Sequence, residues 1–132
     1  MTTEQRHAIE WECARLINLY ATLNDAAQWE EVAALYTEDG VMTRPSAPDA
    51  PIAGRAAILA AFRARPPRTT RHITGNIVVT VEDEANAAAT SAMLLFTAAA
   101  SPPLVGGFRD RFRLVPGVGW RFAARHGWLD FA

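Results

Sequence analysis

Apolar residues recur at three- and four-residue spacing through the first part of the chain, and the spacing becomes strand-like through its second half. Ile9, Cys13, Leu16, Ile17, Tyr20 and Leu23 lie on one stripe of a helix over residues 3–24, with Thr3 as N-cap and Glu4 near the positive dipole end. Asn24-Asp25 interrupts the stripe. Asp25 with Gln28 three residues later has the form of a capping box. It predicts a second helix to about Tyr36, with Trp29, Val32, Ala33, Leu35 and Tyr36 on its core face. Thr37-Glu38-Asp39-Gly40 ends that helix. Val41-Met42-Thr43-Arg44 reads as a short strand, Pro45 to Pro51 as a proline-rich loop, and Ile52-Ala53 as a brief return strand. A third helix opens at Gly54-Arg55, carries Ile58, Leu59 and Phe62 on one face, and stops at Pro66-Pro67.

The period then changes. Residues 69–81, 85–99, 105–115 and 120–129 read as four long strands, separated by Glu82-Asp83-Glu84, Ser101-Pro102-Pro103 and Pro116-Gly117-Val118-Gly119. Helices followed by hairpin-linked strands are the α+β pattern of a mostly antiparallel sheet with helices on one face. The 132 residues fit one domain, residues 1–132. Half the chain is apolar and the net charge is −1, which leaves no electrostatic footprint for nucleic acid or an anionic membrane. All thirteen basic residues are Arg, so any fixed cation is a guanidinium. The single Cys13 excludes a disulfide framework and falls on the apolar stripe of the first helix. A polar N-terminus with no long apolar run predicts a cytoplasmic protein. There is no ligand-spaced His/Asp set for a metal and no phosphate-binding glycine loop.

His72 is the first candidate for chemistry. It opens the apolar run Ile77-Val78-Val79-Thr80-Val81, in strand phase with Thr74, Asn76 and Val78. Imidazole titrates near neutral pH, so a His in a pocket is a ready acid or base, whereas many strand histidines are only hydrogen-bonded structure. Asp110 shares a face with Phe108, Phe112 and Leu114, while Arg109, Arg111 and Arg113 take the other. An acid on an apolar face is either paired, with Arg125 or Arg121 as the nearest candidates, or has a raised pKa. His126 is in phase with Trp120, Phe122 and Trp128 on the last strand. Asp25 reads equally as a helix cap, and Tyr20 as a core tyrosine.

Five pieces in order carry a resemblance: Leu19-Tyr20 with Asp25 and Trp29; Leu35 through Gly40; Gly54-Arg55 with Ile58; Arg71-His72 with Asn76; and Gly106/Gly107 through Asp110 to Gly119-Trp120-Arg121 and Arg125. With them the chain resembles the SnoaL-like branch of the nuclear transport factor 2-like superfamily. The resemblance implies a cone-shaped α+β barrel, three N-terminal helices on a curved sheet, around an apolar cavity. It implies cofactor-independent chemistry like that of scytalone- and bile-acid-type dehydratases, with His72 as general base, Tyr20 as hydrogen-bond donor and Asp25 as orienter. Asp110, Asn76, Phe96, Trp29 and His126 are then candidate contacts to a small hydrophobic molecule, and a homodimer or homotrimer is expected. Residues 41–44 carry no acid, against a ketosteroid-isomerase-type base, and residues 88–98 lack the second polar group that those dehydratases use. A non-catalytic module resembling a ring-hydroxylating dioxygenase small subunit is the alternative. It requires a cavity filled by Trp, Phe and Met side chains.

Overall fold

A computed structural model describes residues 1–131. Helix α1 (Thr3–Asp25) runs one residue past the predicted span of residues 3–24 and is capped by Thr2 rather than Thr3. The Thr2 hydroxyl accepts from the Gln5 backbone N–H at 3.0 Å, and Gln5 Oε1 accepts from the Thr2 backbone N–H at 2.7 Å, a reciprocal pair that satisfies two otherwise orphaned donors. Helix α2 is only Trp29–Ala34. Its N-cap Gln28 makes no side-chain cap bond, and Asp25 is still in α1, so the capping box expected from Asp25 and Gln28 does not form.

Tyr36 leaves the helix and starts a strand, β1 (Tyr36–Arg44), much longer than residues 41–44. Strand β2 (Ala47–Ala53) occupies most of the expected proline loop. It pairs antiparallel with β1, Met42 opposite Ile52 and Arg44 opposite Ala47. Prolines are tolerated there because β2 is an edge strand and need not donate on both sides. Helix α3 (Arg55–Arg63) follows, then β3 (Arg71–Val81), β4 (Asn86–Phe96), β5 (Leu104–Val115) and β6 (Gly119–Phe131). The sheet order is β2-β1-β6-β5-β4-β3, with β1 and β6 parallel and every other pair antiparallel. Among the described residues, no helix is long and apolar enough to cross a membrane.

The apolar stripe of α1 packs inside this sheet. Cys13, Ile17 and Tyr20 meet Phe62 of α3 and Phe112 and Phe122 of the sheet in one buried cluster. The Tyr20 ring meets those of Phe122 and Phe62 edge-on, at centroid distances of 5.5 and 6.3 Å respectively. Burying such rings contributes about 1.5–3 kcal/mol each relative to exposure.

β-bulges in β3 and β6 decide which of their side chains face that interior. In β3 the register shifts between Gly75 and Val78, at Asn76, whose φ is 49°. His72 and Thr74 face inward before the bulge, and Ile77, Val79 and Val81 after it. Asn76 and Val78 are exposed, so the single phase expected for His72, Asn76 and Val78 is broken. In β6 the register shifts opposite Arg111/Phe112 and again opposite Val105/Gly106. Trp120 and Phe122 point inward, then Arg125, and His126 and Trp128 point outward. An extra residue in one strand inverts every later side chain, because the strand period is two.

Candidate active site

Asp25 ends α1 beside the edge strand β3, and three donors converge on its carboxylate. The His72 backbone N–H donates to Oδ2 at 2.9 Å, the Thr70 hydroxyl donates to Oδ1 at 2.9 Å, and His72 Nδ1 lies 2.6 Å from Oδ1. The N–H of an edge strand has no neighbouring strand on its outer side, and the carboxylate takes that place. The Asp25 and His72 side chains are 15% and 13% exposed, so the pair is shielded without being sealed. Holding Nδ1 fixes the ring orientation and leaves Nε2 as the nitrogen available to a ligand.

His72 lines a cavity of about 390 Å³. Tyr20, Met42, Met93 and Phe108 line it from α1, β1, β4 and β5, and exposed Ser46, Pro66 and Arg68 form its rim. The volume is at the small end of the range for small-molecule sites, about 300–1,000 Å³. The Tyr20 hydroxyl is 2.8 Å from that of fully buried Tyr36 and donates toward Met42 Sδ at 3.5 Å. Tyr36 has no other side-chain partner among the described residues, so its O–H donates to Tyr20. The Tyr20 proton is then left for the soft sulfur or for a stronger acceptor in the cavity. Burial raises the pKa of both phenols, Tyr36 well above the ordinary value, while the Arg125 guanidinium partly opposes the rise at Tyr20. Both hydroxyls are therefore protonated donors at neutral pH.

Beneath Tyr20 lies a buried ion pair. Arg125 Nε is 3.1 Å from Asp110 Oδ1, and both side chains are almost fully buried. The approach is too oblique for a directed hydrogen bond. The guanidinium carbon sits 3.8 Å from the Phe108 ring centre and 4.3 Å from that of Tyr20, so π-faces replace much of the hydration it loses. Burial pushes the Asp110 pKa up to about 6, against the opposing pull of Arg125. Both readings open from the sequence hold at Asp110: it is paired, with Arg125 rather than Arg121, and burial still leaves its pKa raised.

The structure brings Tyr20, Asp25 and His72 together at one end of α1 and leaves the other sequence candidates outside the cavity. Asn76 is exposed at the β3 bulge. Phe96, at the end of β4, is 39% exposed. Trp29 stacks on Phe62, centroids 5.3 Å apart, and supports the core behind the wall. Asp110 makes the ion pair, and His126 is on the outer face of the sheet with Nδ1 2.6 Å from Thr43 Oγ1. Asn24, Arg44 and Arg65, none of them a candidate from the sequence, also line the cavity. Arg44 was within reach, since it shares strand phase with Met42; Arg65 and Arg68 lie in a connection with no period to read.

Helices wrapped by a six-stranded, mostly antiparallel sheet around an open pocket define the cone fold of the nuclear transport factor 2-like superfamily. The SnoaL-like domain family matches residues 5–126, and the chain belongs to that family. Among solved structures, the chain is similar to a Novosphingobium aromaticivorans protein provisionally named scytalone dehydratase. The identity is 24% and the TM-score 0.85, over 98% of this chain and 89% of that one. It is similar to a second protein of that organism, described as nuclear transport factor 2-like with a cystatin-like fold, at 29% identity and TM-score 0.79, covering 98% and 84%. A Mycobacterium tuberculosis protein of unknown function matches at 25% identity and TM-score 0.76, covering 96% and 77%. No curated protein matches the chain in sequence.

Proposed function

We propose that this chain is a dehydratase- or isomerase-type enzyme acting on a small, hydrophobic, cyclic or aromatic hydroxy-ketone. The observation that carries the reading is the Asp25–His72 pair in the wall of a cavity that also holds the Tyr20 hydroxyl. In the elimination, His72 Nε2 takes the proton from the carbon alpha to the carbonyl. Electron density moves onto the carbonyl oxygen, where the Tyr20 O–H donates to the enolate. As the enolate re-forms the carbonyl, the C–O bond to the beta hydroxyl breaks. The imidazolium returns the proton to that hydroxyl, so one alkene and one water leave. Asp25 acts on the imidazole from the far side, orienting the ring and stabilising its cationic form. Isomerisation uses the same first step, with the proton returned to carbon. The open volume speaks against a purely structural module, which would fill the space with side chains.

The test begins with thermal-shift screening of cyclic and aromatic hydroxy-ketones, because a ligand of the native state raises Tm. On a substrate found that way, His72→Ala should keep the fold and reduce kcat by about 10²–10⁴-fold, the usual contribution of a general base. Turnover at the wild-type rate would remove His72 from the mechanism.

A further inference from the structure

The cavity has an uneven charge. Arg44, Arg65 and Arg68 all line it, and no Asp or Glu does among the described residues. None of the three makes an ion pair with a described residue. They come from two adjoining pieces of chain, the end of β1 and the connection between α3 and β3. Arg44 Nη2 donates to the Ala61 carbonyl at 2.8 Å, while its Nε is buried with no partner. Arg65 lies over the Phe62 ring at 4.6 Å and makes one long contact, 3.4 Å, to Asn24 Oδ1. Burial together with its neighbours Arg44 and Arg68 lowers the Arg65 pKa to about 10, the mark of like charges crowded in a poorly hydrated place. Arg44 and Arg65, half-buried with unused donors beside one pocket, are a standing cost unless a counter-charge arrives, and exposed Arg68 adds its positive charge at the mouth.

We propose that Arg44, Arg65 and Arg68 form an anion subsite, and that the natural ligand of this cavity is a cyclic or aromatic carboxylate. A carboxylate is the favoured anion because its planar pair of oxygens matches the guanidinium fork. The inference rests on the reading of this cavity as a ligand site, and names the part of the substrate that docks away from the reacting carbons. In the elimination described above, such a group supplies binding and orientation while His72 and Tyr20 act on the ring.

Matched probes separate the two readings. Isothermal titration of the full chain with 1-naphthoate and with 1-naphthamide compares ligands of similar shape that differ in charge. The expected result is at least tenfold tighter binding of the acid, a ratio that shrinks as salt is raised from about 20 to 500 mM through screening. Arg68→Gln, at the exposed rim, and Arg44→Gln should each lower the affinity for naphthoate about threefold or more and leave naphthamide unchanged. Equal binding of acid and amide, or an acid preference that survives in both variants, overturns the subsite and leaves the cavity reading intact. No binding of either probe overturns both. An acid preference without turnover of any hydroxy-ketone supports the subsite and counts against the catalytic reading alone.

Discussion

Asp25 grips His72 twice, through the backbone N–H at 2.9 Å and through ring Nδ1 at 2.6 Å, across 47 residues of chain. The double contact ties the last turn of α1 to the first residues of an edge strand. One carboxylate thereby both orients the imidazole and satisfies a strand end. Asp25→Ala should cost about 1–3 kcal/mol, since it leaves the Thr70 hydroxyl and the His72 N–H without their acceptor. The loss should appear as a lower urea midpoint at unchanged slope. Turnover should fall with it, whereas His72→Ala, which keeps the backbone contact, should lose turnover with a smaller change in midpoint.

The two buried phenols should separate in the same way. Tyr20→Phe removes the donor that faces the cavity and should lower kcat by about 10²–10³-fold, the usual effect of losing one oxyanion donor. Tyr36→Phe removes a hydroxyl that no ligand reaches, and its effect should be mainly on stability, about 0.5–1.5 kcal/mol. Steady-state kinetics and thermal unfolding of the two variants, side by side, test the assignment. Equal kinetic losses would count against a direct role for Tyr20.

The Asp110–Arg125 pair yields a pH prediction. Burial raises Asp110 to about 6, above the ordinary value of 3.8, so the folded protein holds this proton more tightly than the unfolded chain. Its stabilising contribution is full below about pH 4 and is lost as pH rises through about 6. The Tm of wild type relative to Asp110→Asn should therefore fall between about pH 4 and 7. A gap that stays constant would contradict the raised pKa.

Arg125→Met alone strands the acid in the core and should destabilise by about 3–5 kcal/mol. The double change Asp110→Leu with Arg125→Met should recover most of that loss, because both charges leave together. Chemical denaturation of the single and double variants measures the difference.

Gly106 lets β5 approach β6 closely, and Gly107 lets it approach β4. A Cβ at Gly106 would lie 1.9 Å from the Trp128 carbonyl oxygen, and one at Gly107 only 2.4 Å from that of Ser91. Neither neighbour is the free end of a side chain, so the strands themselves must move. Gly106→Ala should cost about 1–3 kcal/mol or more, as overpacking of a fitted interior does. A Tm within one degree of wild type would contradict the register given for β5 and β6.

Much of the fold was legible because helix and strand periods are local properties. The α1 stripe, the change of period after Pro67 and the inward phase of Asp110 with Phe108 and Phe112 all follow from spacing. Of the candidate site, Tyr20 was readable as a residue of the buried stripe. Its company with His72 and Asp25 came only with the resemblance to the SnoaL-like family. Asn76 and His126 were misplaced for one reason: each follows or occupies a bulge, and a bulge inverts phase without leaving a mark in the hydrophobic pattern. Strand β2 was hidden by prolines that only an edge position tolerates.

By itself the sequence determined which segments must bury a face and which face that is between bulges, because amphipathic period is written residue by residue. Tertiary structure alone decided that Asp25 meets His72 instead of capping α2, that Asp110 is matched by Arg125, and that three arginines share one pocket wall. Those outcomes depend on distances between residues tens of positions apart, and packing of the helices inside the curved sheet sets those distances.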